Sequence, residues 1–151
     1  MARYYRRSIT SEATYFFTVV TCRRREMLCE PDSVALLREA FATVKRRHPF
    51  RIDAVILMSD HLRCLWALPP KDADYSTRWM LIKTYFTRRC AASLKTARSP
   101  ALRRKREQTI WQHRYWKHHI RDDRNFEGHC DYIHYNPVKH GRVTWAMLHR
   151  R

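Results

Sequence analysis

Glycine is almost missing: there are two in 151 residues. Phosphate-cradling loops need clustered glycines to bring backbone amides close to a ligand. Neither a GxGxxG nor a Walker pattern can be drawn here, which argues against the nucleotide-binding α/β folds. The five cysteines (Cys22, Cys29, Cys64, Cys90, Cys130) are odd in number and include no CxxC pair, so zinc-finger spacing is absent. They read as small core residues of a reduced, cytoplasmic protein. No N-terminal signal peptide and no long apolar stretch is visible, so no membrane partner is expected. Internal repeats and Ser/Gly-rich linkers are also lacking, and the reading is one domain over residues 1–151.

Acidic residues are scarce as well. Asp and Glu total 14 against 31 Lys and Arg, for a formal net charge of +17. The excess runs along the whole chain and is mostly Arg, whose planar fork suits phosphate. Aromatics make up 13% and hydrophobic residues 44%, enough for a folded core. Cations interleaved with aromatics are the composition of a nucleic-acid binder, combining phosphate attraction with base stacking.

The elements follow from periodicity. Residues 1–12 form a basic, aromatic arm. Residues 13–21 (ATYFFTVVT) are β-branched and aromatic, as a buried strand requires. A helix follows, with Asp32 or Ser33 as its cap and Val34, Leu37, Phe41 and Val44 at helical spacing. Residues 51–59 and 61–69 are two strands with a short link, hence an antiparallel pair. A second helix over residues 76–90 has the stripe Trp79, Ile82, Phe86 and Cys90, with Arg78, Lys83, Arg88 and Arg89 turned to solvent or DNA. Residues 93–108 form a basic loop. Residues 110–120 read as a fourth strand and 122–136 as a third helix ended by Pro137. The order β-α-β-β-α-β with an extra C-terminal helix is the α+β ferredoxin-like pattern of an antiparallel sheet.

Chemistry concentrates in two places. In MSDHLRCLW, His61 and Arg63 stand two apart and share one face of a strand, roughly 7 Å from each other. Leu62, Cys64, Trp66 and Leu68 form the opposite, fully apolar face. In the last helix Tyr132 and Asn136 lie at i and i+4 on one face.

These stretches, with ARYYRRSITSEATYFFTVVTCRRR, IWQHRYWKHHIRDDRNF and DYIHYNPVKHG, resemble the REP-associated tyrosine transposases, which are single-tyrosine HUH nucleases of bacteria. The likeness runs from about Tyr4 to Val143. It implies a ferredoxin-like fold acting in the cytoplasm, at the nucleoid, on single-stranded DNA, specifically hairpins formed by REP-type palindromes. It implies Mg²⁺ or Mn²⁺ held by two motif histidines and a polar residue of the last helix, and a tyrosine that attacks the scissile phosphate to leave a 5′-phosphotyrosine link. By position His61 matches the first histidine, Tyr132 the nucleophile and Asn136 the polar metal-side residue. The arm around Arg3, Tyr4, Arg6 and Arg7 matches the region that reads the single-stranded tag. Further DNA contacts are expected from Arg63, Arg78, Lys83, Arg88, Arg103, Arg104 and Lys139, and the protein is expected to act as a monomer.

Two departures stand out. Arg63 occupies the second histidine's position, and a guanidinium has no lone pair to offer a cation. The sequence also ends soon after Val143, where family members usually continue. Three readings follow: an active strand transferase in which Arg63 replaces the metal's charge, or His118, His129 or His134 completes the site; a catalytically impaired hairpin-DNA binder; or, ranked last because the RNP-type sequence is absent, an RNA-binding protein.

Overall fold

The computed structural model describes residues 13–90 and 110–120. Strand β1 is Ala13–Val20, and a 3-10 turn at Cys22–Arg24 leads to helix α1, Pro31–Arg47. Pro31 sets the start of α1. Its fixed φ is already helical and it has no amide to satisfy, so the helix begins with Glu30 at the cap position and no side-chain capping bond. Asp32 and Ser33, expected as caps, therefore lie inside the first turn, and Ser33 is buried. Leu37, Ala40, Phe41 and Val44 form the buried face, while Val34 packs at its margin.

Strands β2 (Arg51–Leu57) and β3 (His61–Leu68) pair antiparallel as their short link demands. Helix α2, Tyr75–Arg89, is capped by Asp74, whose carboxylate accepts from the Thr77 amide at 3.1 Å. Its stripe of Trp79, Ile82 and Phe86, extended by Cys90, is buried.

Strand β4 covers only Trp116–Ile120, shorter than the 110–120 run expected. The cause is local. Ile110 and Trp111 turn into the core, where Trp111 meets Phe86 edge-on at 5.4 Å. The next two carbonyls, of Gln112 and His113, accept from the Lys83 ammonium at 2.9 and 3.2 Å instead of entering a ladder.

The sheet order is β2-β3-β1-β4, every neighbouring pair antiparallel. With α1 crossing from β1 to β2 and α2 from β3 to β4, this is the ferredoxin-like α+β arrangement. Both helices pack on one face, around Trp66 and Trp79 stacked at 4.4 Å, with Phe17 and Phe50 against Trp66 at 4.8 and 4.3 Å. The other face has a smaller apolar cluster of Phe16, Ala54, Ile56, Leu65 and Ile120. The basic arm (1–12), the basic loop (93–108) and the helix expected at 122–136 lie outside the described residues.

Candidate metal and DNA site

Strand β3 is interior to the sheet, so its register is fixed from both sides. Val20 stands opposite His61, and Thr18 and Ile56 flank Arg63. Period-2 alternation then sends Leu62, Cys64, Trp66 and Leu68 into the helix-side core, and His61, Arg63 and Leu65 to the opposite face. The division expected from the sequence holds residue for residue.

His61 begins β3 where the hairpin turn ends, and this lets its neighbour reach it. The His61 Nδ1 lies 2.7 Å from Asp60 Oδ1, and the other Asp60 oxygen accepts from Arg24 Nε at 3.0 Å. An ionised Asp60 places the imidazole proton on Nδ1 and leaves the lone pair on Nε2. That Nε2 is buried and has no hydrogen-bond partner. A buried nitrogen left without a partner is costly unless something takes its lone pair. A carboxylate behind the ring and an unpartnered nitrogen in front is how proteins present histidine to a metal. Asp60 does not stand out in the sequence. The only signal was an acidic residue beside the motif histidine, and adjacent strand residues would point apart; the turn geometry makes the contact.

The turn opposite is fastened to this corner. The Thr21 amide donates to Asp60 O at 3.0 Å, Thr21 Oγ1 to Asp60 O at 3.1 Å, and the Met27 and Leu28 amides to Ser59 O at 2.9 Å each. Arg23 and Arg24 both take left-handed backbone angles, with φ of 58° and 53°. Two adjacent non-glycine residues in that region cost on the order of 1 kcal/mol each. In return Arg24 reaches Asp60.

Burial of Asp60 alone would raise its pKa. The hydrogen bond from His61 and the charges of His61 and Arg24 outweigh that and hold it below the usual carboxylate range. His61 is held below its ordinary value of about 6.5, first by burial, then by the charges of Arg63 and Arg24, with Asp60 opposing. The folded protein therefore binds a proton at His61 less readily than the unfolded chain. Its contribution to stability is present above about pH 6.5 and fades as pH falls from there through the folded pKa. Imidazole NMR titration should place the His61 midpoint below 6.5. Arg63→Gln should move it up and Asp60→Asn should move it down; the opposite order would contradict this electrostatic account.

Arg63 is the misfit. It sits about 7 Å along the same face and its charge opposes a cation at His61. His118 stands too far off to share an ion with His61. It pairs with Phe16, which pairs with Leu65, so it stands two strands across and four residues along from His61. That is roughly 16 Å, beyond what two imidazoles can bridge to one ion. No group of three His, Cys, Asp or Glu among the described residues could hold a metal. Tyr132, Asn136, His129 and His134 lie outside the described residues, as do Arg3, Tyr4, Arg6, Arg7, Arg103, Arg104 and Lys139.

Two expected DNA contacts on α2 are corrected by burial. Arg78 is 3% exposed and holds the fold together: it donates to Asp72 in a bidentate pair at 3.1 and 2.9 Å, and to the carbonyls of His48, Pro49 and Asp74. Lys83 is buried beneath Gln112 and His113. Helical spacing alone could not distinguish these cations from Arg88, which is exposed. At the sheet's β4 edge, Trp116 is 54% exposed and stacks on His118 at 5.9 Å.

The family model described as "Transposase IS200 like" matches residues 9–136. The REP-associated tyrosine transposase of Escherichia coli (strain K12) is 40% identical over 139 residues, covering 92% of this chain and 74% of that protein. A relative from Haemophilus influenzae is 38% identical over 139 residues, covering 92% of this chain and 78% of its own. A solved structure of a REP-associated tyrosine transposase bound to a REP hairpin superposes with a TM-score of 0.69 at 41% identity, over 87% of this chain and 70% of that one.

Proposed function

We propose a function from one premise: this chain belongs to the IS200-like transposase family. It binds single-stranded DNA folded into a hairpin by a REP-type palindrome, and it cuts and transfers a strand through Tyr132. The observation that carries the reading is His61, oriented by Asp60 and presenting a buried, unpartnered Nε2. The relative solved with a REP hairpin supports the choice of DNA.

In this mechanism the Tyr132 hydroxyl attacks the scissile phosphorus. The bond to the 3′ oxygen breaks, the 3′ end leaves as a hydroxyl, and the phosphate stays joined to Tyr132 on its 5′ side. No water is consumed, so a second 3′-hydroxyl can reverse the step on another end. A phenol of pKa about 10 is a weak nucleophile at neutral pH and needs a cation near the phosphate or a base. His61 and Asn136 would hold Mg²⁺ or Mn²⁺, which supplies that charge when bound. Asp60 keeps the proton on His61 Nδ1, leaving Nε2 as the metal-facing nitrogen, and the burial of His61 disfavours its charged form.

Arg63 favours a second reading, a hairpin binder whose cutting is impaired, since one of the expected ligand positions now bears a fixed positive charge. Both readings share the binding step. Affinity for a hairpin with a single-stranded flank should exceed that for an unrelated single strand, and log K should fall linearly with log salt as phosphate contacts release counterions. A denaturation-resistant protein–DNA adduct, absent in Tyr132→Phe, separates transferase from binder. Equal affinity for hairpin and unrelated strand would reject both.

A further inference from the structure

A second feature suited to DNA lies on the opposite, helix-bearing side of the sheet. Between α2 and the segment entering β4 there is an open cleft of about 690 Å³. Its walls include Tyr75, Met80, Lys83, Arg114, Tyr115 and Lys117, and among the described residues no Asp or Glu lines it. The register explains the convergence. Lys117 and His119 pair with Phe17 and Tyr15 and so face the helices, away from His61. Lys117 Nζ stands 5.7 Å over the Tyr75 ring, and Lys83 Nζ 5.1 Å from the Tyr115 ring. The Tyr75 ring is braced by Tyr15 at 5.1 Å. Asp74, the nearby carboxylate, is engaged in capping α2. Arg114 and Lys117 are exposed, while both tyrosines are only partly covered.

Cations alone would suit any acidic partner. Cations set around tyrosine rings, with no carboxylate among the described wall residues, suit a phosphate attached to a flat base. We infer that this cleft holds an unpaired nucleotide of the bound DNA, with its base against Tyr75 and Tyr115 and its phosphate between Arg114 and Lys117. The strand then wraps around the β4 edge, past Trp116. The inference rests on the DNA-binding reading above but concerns a different surface.

The test uses the full chain and hairpins with 5-iodouracil at successive unpaired positions, beside a plain 5-iodouracil single strand. Irradiation should crosslink one flank position to the peptide containing Tyr75 or Tyr115. Arg114→Ser/Lys117→Ser changes two exposed side chains, and a melting curve confirms that it folds. It should abolish that crosslink and weaken the flanked hairpin about tenfold while sparing a hairpin with no flank. Tyr75→Leu should weaken the flanked hairpin in the same selective way. Crosslinks confined to other peptides, or equal weakening of flanked and unflanked hairpins, would overturn the inference. If hairpin preference is absent but the plain strand still crosslinks at Tyr75 or Tyr115, the cleft stands and the hairpin reading falls.

Discussion

Arg63→His is expected to raise the yield of covalent protein–DNA adduct, with a labelled hairpin and Mn²⁺, by on the order of tenfold to a hundredfold over the unaltered protein. The argument is geometric. Position 63 is paired to Thr18 on one side and Ile56 on the other, so its Cβ direction is fixed toward the face that bears His61. A histidine there sits about 7 Å from His61, a spacing at which two imidazoles close on one ion. The exchange also removes a charge that opposes a cation at His61. The gain should disappear in Arg63→His/Tyr132→Phe, and chelation should reduce it to the level of the unaltered protein. An unaltered protein as active as Arg63→His would mean that the guanidinium itself supplies the phosphate's counter-charge, as an electrostatic stabiliser without metal.

Arg78→Met should lower thermal stability more than the loss of any exposed cation. The guanidinium is buried and donates to one carboxylate and three carbonyls, joining α2 to the turn before β2. Asp72 keeps access to solvent, so the cost falls mainly on the carbonyls left without a donor and is on the order of 3 kcal/mol. In a chain of this size that is a fall in Tm of roughly 10 °C. Arg78→Lys should recover little, because a point charge cannot serve so many acceptors at once. Hairpin binding, measured cold where the variant remains folded, should keep its salt slope, whereas losing a true phosphate contact lowers the slope by about 1. A normal melting curve with a reduced slope would return Arg78 to the DNA interface.

These two arginines show what the sequence could reveal. Arg63 was legible because a strand has a period of two: naming the strand names the face. The order of strands and helices was legible for a similar reason, since apolar spacing and short links leave few arrangements. Arg78 and Lys83 were not legible. Their helical positions are fixed by sequence, but their partners include carbonyls about 30 residues away, contributed by turns with no pattern of their own. The shortened β4 has the same origin, because the carbonyls that would have extended it are taken by Lys83. Asp60 was overlooked because its contact with His61 depends on a turn, where neither helical nor strand periodicity applies.

The interior position of β3 bears on how such proteins diverge. The backbone of residue 63 is secured on both sides, and its side chain points away from the Trp66–Trp79 core. Exchange between histidine and arginine at this point leaves the backbone pairing of β3 in place. On the proposed site, a lineage could lose a ligand there and keep a folded protein available to selection for other uses. It can also regain the ligand in one replacement, with no compensating change elsewhere in the sheet. On the proposed mechanism, loss of cutting at this position would be a reversible step.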